Sequence, residues 1–180
     1  MKREKENVVL IGMPGAGKST LGVLLAKELG YVFCDADLLI QQSQGALLRE
    51  IIASEGMERF LDIEEKTALS MTLSHVVVAT GGSAVYRRQA MEHYGSMAVV
   101  VYLHLPCERL RERLGSMKRR GVVLKEGQTL EELYEERRVL YEKYADLTVE
   151  VGTDTVEESL DRLVEALRSA GIAPPGEGKE

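Results

Sequence analysis

Val8-Val9-Leu10-Ile11-Gly12-Met13-Pro14-Gly15-Ala16-Gly17-Lys18-Ser19-Thr20 decides the fold. Its first four residues form a continuous apolar run, the pattern of a strand buried on both faces of a parallel sheet. Gly12 to Ser19 then fits G-x-x-x-x-G-K-[ST] at every fixed position. Glycines in such a loop permit backbone conformations that turn successive N–H groups toward one cluster of phosphate oxygens. Leu21, Leu24, Leu25 and Leu29 follow at helical spacing, with Gly30 as the expected stop. The start of that helix adds the positive end of its dipole to the loop. Strand, loop and helix together are the context in which this motif binds a nucleotide. The expected phosphate-binding residues are therefore Gly12, Met13, Pro14, Gly15, Ala16, Gly17, Lys18, Ser19 and Thr20. Lys18 is expected at the β- and γ-phosphates of ATP, as a catalytic residue, and the Ser19 hydroxyl at Mg2+. Hydrolases, motors and kinases all share this loop, so the loop alone does not select the reaction.

Further along, apolar runs at 31–33 (ending at Asp35), 76–79, 98–103 and 147–151 read as four more strands. Helical patterns occupy 37–43, 47–53 and 58–73, broken near Gly45 and Gly56, then 87–94, 108–114, Leu130–Tyr144 and 155–168. Asp154 or Thr155 is the expected N-cap of the last helix. Strands alternating with helices give an α/β class: a P-loop NTPase fold whose five-stranded parallel sheet is flanked by helices, with a lid loop and a helical substrate-binding segment. A single P-loop domain over 1–172 and a flexible tail over 173–180, rich in Pro, Gly and charge, is the expected organisation.

Of the 180 residues 44% are hydrophobic, enough for a real core, and the formal net charge is −6. That balance excludes a broad nucleic-acid-binding field, so an anionic substrate needs a local positive pocket. The two cysteines, Cys34 and Cys107, do not make a disulfide scaffold. No apolar run is long enough for a membrane span. The expected form is a cytoplasmic monomer with no membrane or nucleic-acid partner. His75, His93 and His104 lack metal-ligand spacing.

Asp35-Ala36-Asp37 ends the second expected strand, where side chains reach the ligand crevice of a parallel sheet. One acid suits a metal ion held through water, and the other suits the proton of an attacking hydroxyl. A solvated strand end whose Asp caps the next helix is the alternative reading of the pair.

The chain resembles the shikimate kinase family over almost its whole length. The resemblance rests on the phosphate loop and four further segments: Phe33-Cys34-Asp35-Ala36-Asp37, Glu55-Gly56-Met57-Glu58-Arg59-Phe60 with Glu64, Ala79-Thr80-Gly81-Gly82-Ser83, and Glu136-Arg137-Arg138-Val139-Leu140-Tyr141 with Ala145-Asp146. It implies a kinase that moves the ATP γ-phosphoryl group to a hydroxyl of shikimate. In the same terms, Asp37 contacts the acceptor hydroxyl, Asp35 lies near Mg2+, Gly81 and Gly82 contact the substrate, and Arg138 binds its carboxylate. Arg120, in Lys118-Arg119-Arg120-Gly121-Val122-Val123, resembles a lid arginine that neutralises the transferring phosphoryl group.

Three positions depart from the family pattern. Leu61 stands where the family has a substrate-gripping arginine, Ser83 replaces the third glycine of its turn, and the lid segment appears shorter and lacks its proline. A side chain at 83 is expected to tolerate positive φ poorly, and its hydroxyl is free in principle to meet a substrate. Because Leu61 and Ser83 fall on the acceptor side, a kinase of another hydroxy acid, sugar acid or nucleoside stands as an alternative. A non-catalytic nucleotide-binding regulator is the other alternative, and Asp37 argues against it.

Overall fold

The computed structural model describes residues 5–72, 74–115 and 124–173. The expected lid around Arg120 and all but the first residue of the expected tail lie outside the described residues.

Strand β1 (Asn7–Ile11) is fully buried, with Val8, Val9, Leu10 and Ile11 each 0% exposed, as its unbroken apolar run requires. It runs parallel to β3 (Val76–Ala79) on one side and β4 (Ala98–His104) on the other. The edges are β2 (Val32–Asp35), parallel to β3, and β5 (Leu147–Glu150), parallel to β4, giving the order β2-β3-β1-β4-β5. The connection leaving β1 runs toward β2 on one side, and that leaving its neighbour β3 runs toward β4 on the other, so the crevice outside the carboxyl ends of β1 and β3 is a topological switch point, where ligands bind in such sheets.

Helix α1 (Lys18–Leu29) ends on Gly30 at φ 67, the left-handed stop that its glycine makes inexpensive. Three helices then fill the span between β2 and β3: α2 (Ala36–Gln44), α3 (Leu48–Glu55) and α4 (Met57–Ser70). Gly45 and Gly56 end α2 and α3, where the sequence places the breaks. This segment closes on its own small apolar cluster of Ile40, Ile51, Phe60 and Ile63, separate from the main core beneath the sheet. A 3-10 turn (Ala84–Tyr86), not expected from the sequence, links β3 to α5 (Arg88–Met97). Helix α6 (Cys107–Gly115) follows β4, and α7 (Leu130–Tyr144) precedes β5. The last helix, α8 (Val156–Ser169), starts at a Thr155–Glu158 capping box, a feature that contributes about 1 kcal/mol. Among the described residues no helix is long and apolar enough to cross a membrane.

Candidate active site

The turn after β1 is built around backbone that side chains would block. Gly17, at φ 94, caps α1, and Gly12, at φ 144, lies so close to β4 that a Cβ would sit 2.7 Å from the Leu103 carbonyl oxygen. Lys18 folds back over this turn: its Nζ donates to the carbonyls of Gly12 (2.7 Å) and Met13 (2.9 Å). Only 8% exposed, it loses hydration, which lowers its pKa to about 8 although Asp37 pulls the other way. An ammonium held dry at a helix start has high affinity for an anion that restores its solvation, as a terminal phosphate does.

Asp35 serves two purposes. Its Oδ1 accepts from the backbone N–H groups of Asp37 (3.0 Å) and Leu38 (3.3 Å), capping α2, so the alternative capping role holds. Its Oδ2 accepts from the Ser19 hydroxyl at 2.7 Å. This pair of hard oxygens beside the loop fits Mg2+, which keeps several waters and takes one or two protein oxygens plus phosphate. The described residues contain no cluster of three His, Cys, Asp or Glu that could hold a metal by itself.

Beyond the loop lies a cavity of about 460 Å³, lined by the turn after β3, by α3 and α4, and by Arg137 of α7. Asp37 lines it, and Glu64 lies behind Gly81, close to Asp37. A Cβ on Gly81 would overlap Glu64 Oε1 and lie 2.9 Å from Asp37 Oδ1, so a larger residue here would displace these two carboxylates. Both of those oxygens are buried and have no hydrogen-bond partner, a costly state unless a ligand supplies donors. Burial raises the Asp37 pKa, with Asp35 adding to the rise, and raises that of Glu64 to about 7. The Ser83 hydroxyl donates to Glu64 Oε2 at 2.7 Å and holds that side chain in place.

Ser83 corrects two expectations. Its φ is −93, so the position needs no glycine, and its hydroxyl is engaged by Glu64. Leu61 is buried and does not line the cavity.

Arg138 is the clearest correction. It points away from the cavity and pairs with Glu135 (2.8 Å) and Glu142 (2.7 Å) on the outside of α7. Arg137, one residue earlier, is the one in the pocket. It is 5% exposed, its Nε donates to the Tyr86 hydroxyl at 3.2 Å, and its guanidinium carbon lies 5.3 Å from the Tyr86 ring centroid. Its Nη1 comes within 3.0 Å of where a Gly82 Cβ would be, beside the backbone of the turn. Helical spacing puts Leu133, Tyr134, Arg137 and Tyr141 on one face, and the packed helix buries all four. Tyr141 ties this face to the site by donating to the Gly82 carbonyl at 2.7 Å. Arg137→Met is therefore expected to raise the acceptor KM by roughly 10- to 150-fold, the value of a charged bidentate contact, while Arg138→Met leaves it within twofold or so. Steady-state kinetics on the two variants measures the contrast.

The structure thus brings together Gly12 to Thr20, Asp35, Asp37, Gly81 and Gly82, and excludes Arg138; Arg120 lies outside the described residues. Arg49 and Arg137 are charged lining residues that the sequence reading did not assign to the site, and Glu64, behind Gly81, is a neighbour it did not assign.

The shikimate kinase family model matches residues 14–168. Shikimate kinase 1 of Pectobacterium atrosepticum is 35% identical over 170 residues, covering 92% of this chain and 98% of that protein. Shikimate kinase 1 of Escherichia coli (strain E24377A) is also 35% identical, with the same coverage. Among solved structures, the Acinetobacter baumannii shikimate kinase in complex with shikimate superposes with a TM-score of 0.83 at 31% identity, covering 91% of this chain and 93% of that one. The Aquifex aeolicus shikimate kinase follows with a TM-score of 0.80, 29% identity, and coverage of 92% and 98%. With a phosphate loop of this geometry and matches of this extent, the chain belongs to the shikimate kinase family and is a small-molecule kinase of the P-loop fold.

Proposed function

We propose that this enzyme transfers the γ-phosphoryl group of ATP to a ring hydroxyl of shikimate, and that it does so as a cytoplasmic monomer. The observation that carries the reading is the unpartnered buried oxygen of Asp37, Oδ1, on a residue that lines the cavity together with the buried Arg137, with a second unpartnered oxygen, Glu64 Oε1, just behind Gly81. Two acceptors without donors suit a polyol, and a buried guanidinium suits its carboxylate.

In this reading Asp37 takes the hydroxyl proton as the oxygen attacks phosphorus. Its raised pKa moves it toward that of a useful base. Lys18 leaves the Gly12 and Met13 carbonyls to follow the charge on the β- and γ-phosphates. Ser19 and Asp35 would hold a hydrated Mg2+, whose charge would screen the phosphate oxygens. Gly81 and Gly82 admit the substrate close to the backbone, and Arg120 supplies lid charge.

An acceptor panel with coupled ADP detection tests the reading. Shikimate is expected to give robust, magnesium-dependent turnover. Turnover of a different hydroxy acid, sugar acid or nucleoside with none of shikimate would replace it, and Leu61 is the observation that keeps that second reading in view. Nucleotide binding with no transfer to any acceptor would reduce the protein to a regulator.

A further inference from the structure

The cavity presents three cations: Lys18, Arg137 and Arg49. Lys18 sits at the phosphate end on loop carbonyls, and Arg137 is fixed beneath Tyr86 beside Gly82. Arg49 differs from both. It lies in the first turn of α3 and is exposed at the cavity rim.

Its placement on the helix is not accidental. Leu48, Arg49, Ile52 and Ala53 all line the cavity, and the spacing of one, four and five residues puts them on a single helical stripe. Arg49 stands one turn ahead of Ala53 on the face turned inward. Across this wall, α4 contributes Met57 and Phe60 to the lining and no charge, since Leu61 is buried elsewhere. Arg49 is thus the one cation that the described parts of α3 and α4 present to the cavity.

A second observation is independent of placement. Every other described arginine is engaged. Arg59, Arg87, Arg88, Arg109, Arg111, Arg138, Arg162 and Arg168 pair with carboxylates, Arg113 donates to the Gly15 carbonyl, and Arg137 donates to Tyr86. Arg49 alone makes no hydrogen bond or ion pair with any described residue. Its neighbour Glu50 is no partner for it, because that carboxylate accepts from the Leu47 backbone N–H at 2.9 Å at the start of α3.

We infer that Arg49 supplies a second guanidinium for the carboxylate of the acceptor, closing from the rim on a group that Arg137 receives from within. The inference rests on the reading of shikimate as acceptor and names the residue that makes the site selective for an acid. Charge placement favours it. Asp37 lines the cavity, with Glu64 behind Gly81 close by, so that end welcomes hydroxyls and repels a carboxylate. An acidic acceptor is therefore oriented with its anion away from that end, within reach of arginines on the walls. A planar fork that binds both carboxylate oxygens also fixes which hydroxyl faces Asp37.

The test compares wild type, Arg49→Met and Arg49→Lys on shikimate and on its neutral methyl ester, with ATP kinetics measured alongside. Arg49 is exposed at a helix surface, so the methionine variant is expected to fold, and circular dichroism checks it. The expected result is a rise of roughly tenfold in the shikimate KM of Arg49→Met, a partial recovery in Arg49→Lys, and an unchanged KM for ATP. The preference for acid over ester should shrink by the same factor, because an ester has no charge for Arg49 to hold. Wild-type turnover with the same acid-to-ester ratio in Arg49→Met overturns the assignment while leaving the shikimate reading intact. A rise confined to the KM for ATP overturns it as well, by placing Arg49 on the nucleotide. Absence of shikimate turnover in wild type overturns the parent reading, and this one with it.

Discussion

Asp37→Asn is expected to lower kcat by about 10²- to 10⁴-fold, the usual worth of a positioned general base, while the ATP dissociation constant stays near that of wild type. Asparagine keeps the size of the side chain but accepts no proton at neutral pH. The start of α2 is unaffected, because its cap is Asp35, whose Oδ1 holds the Asp37 and Leu38 N–H groups. The Asp37 oxygen that loses its charge is one with no partner in the protein, so no internal hydrogen bond to it is broken. Coupled ADP release gives kcat, and calorimetry with ATP gives the binding constant. Near-full turnover in the variant would remove Asp37 from the chemistry and leave it a packing residue beside Gly81.

Lys18→Met is expected to cost about 10²- to 10³-fold in kcat/KM for ATP, the scale of removing one preorganised charge from a phosphoryl-transfer site. Methionine approximates the length of the lysine stem, and the side chain it replaces is 8% exposed, so packing is largely kept. Charge is what disappears. The same residue sets a pH dependence. Burial lowers the Lys18 pKa to about 8, so the free enzyme carries this ammonium below that value and loses it as the pH rises through it. kcat/KM for ATP, which reports the free enzyme, should therefore fall above about pH 8. Bound phosphate charge favours the protonated amine, so the fall in kcat should come at higher pH. A pH profile of both parameters checks this, and coincident limbs would show that Lys18 does not sense the phosphates.

Glu64 and Ser83 explain how the acceptor side tolerates a change of sequence. The glycine turn expected to need freedom at position 83 does not use it, since Ser83 has φ −93. Gly81 and Gly82 are the positions under constraint, and the constraint is space: one faces Asp37 and Glu64, the other faces Pro14 and Arg137. A serine at 83 adds a donor that pins Glu64 and leaves the other oxygen of that carboxylate buried behind Gly81 without a partner.

Much of this molecule is local and was legible in the order of residues. The buried run of β1, the phosphate loop, the stop at Gly30, the breaks at Gly45 and Gly56 and the cap at Thr155 each depend on neighbours within a turn or a short strand. Periodicity and backbone chemistry therefore suffice to read them. Asp35 and Asp37 were legible for the same reason, as carboxylates at a strand end next to the loop. The strand order, the choice of Arg137 over Arg138, the Glu64–Ser83 bond and the rim position of Arg49 were decided only by the tertiary structure. Each joins residues from separate elements: Tyr141 to Gly82 across 59 positions, Arg113 to Gly15 across 98. Contacts of that span arise from how helices pack around a sheet, and no spacing along the chain encodes which of two adjacent arginines a packed helix turns inward until its buried face is known.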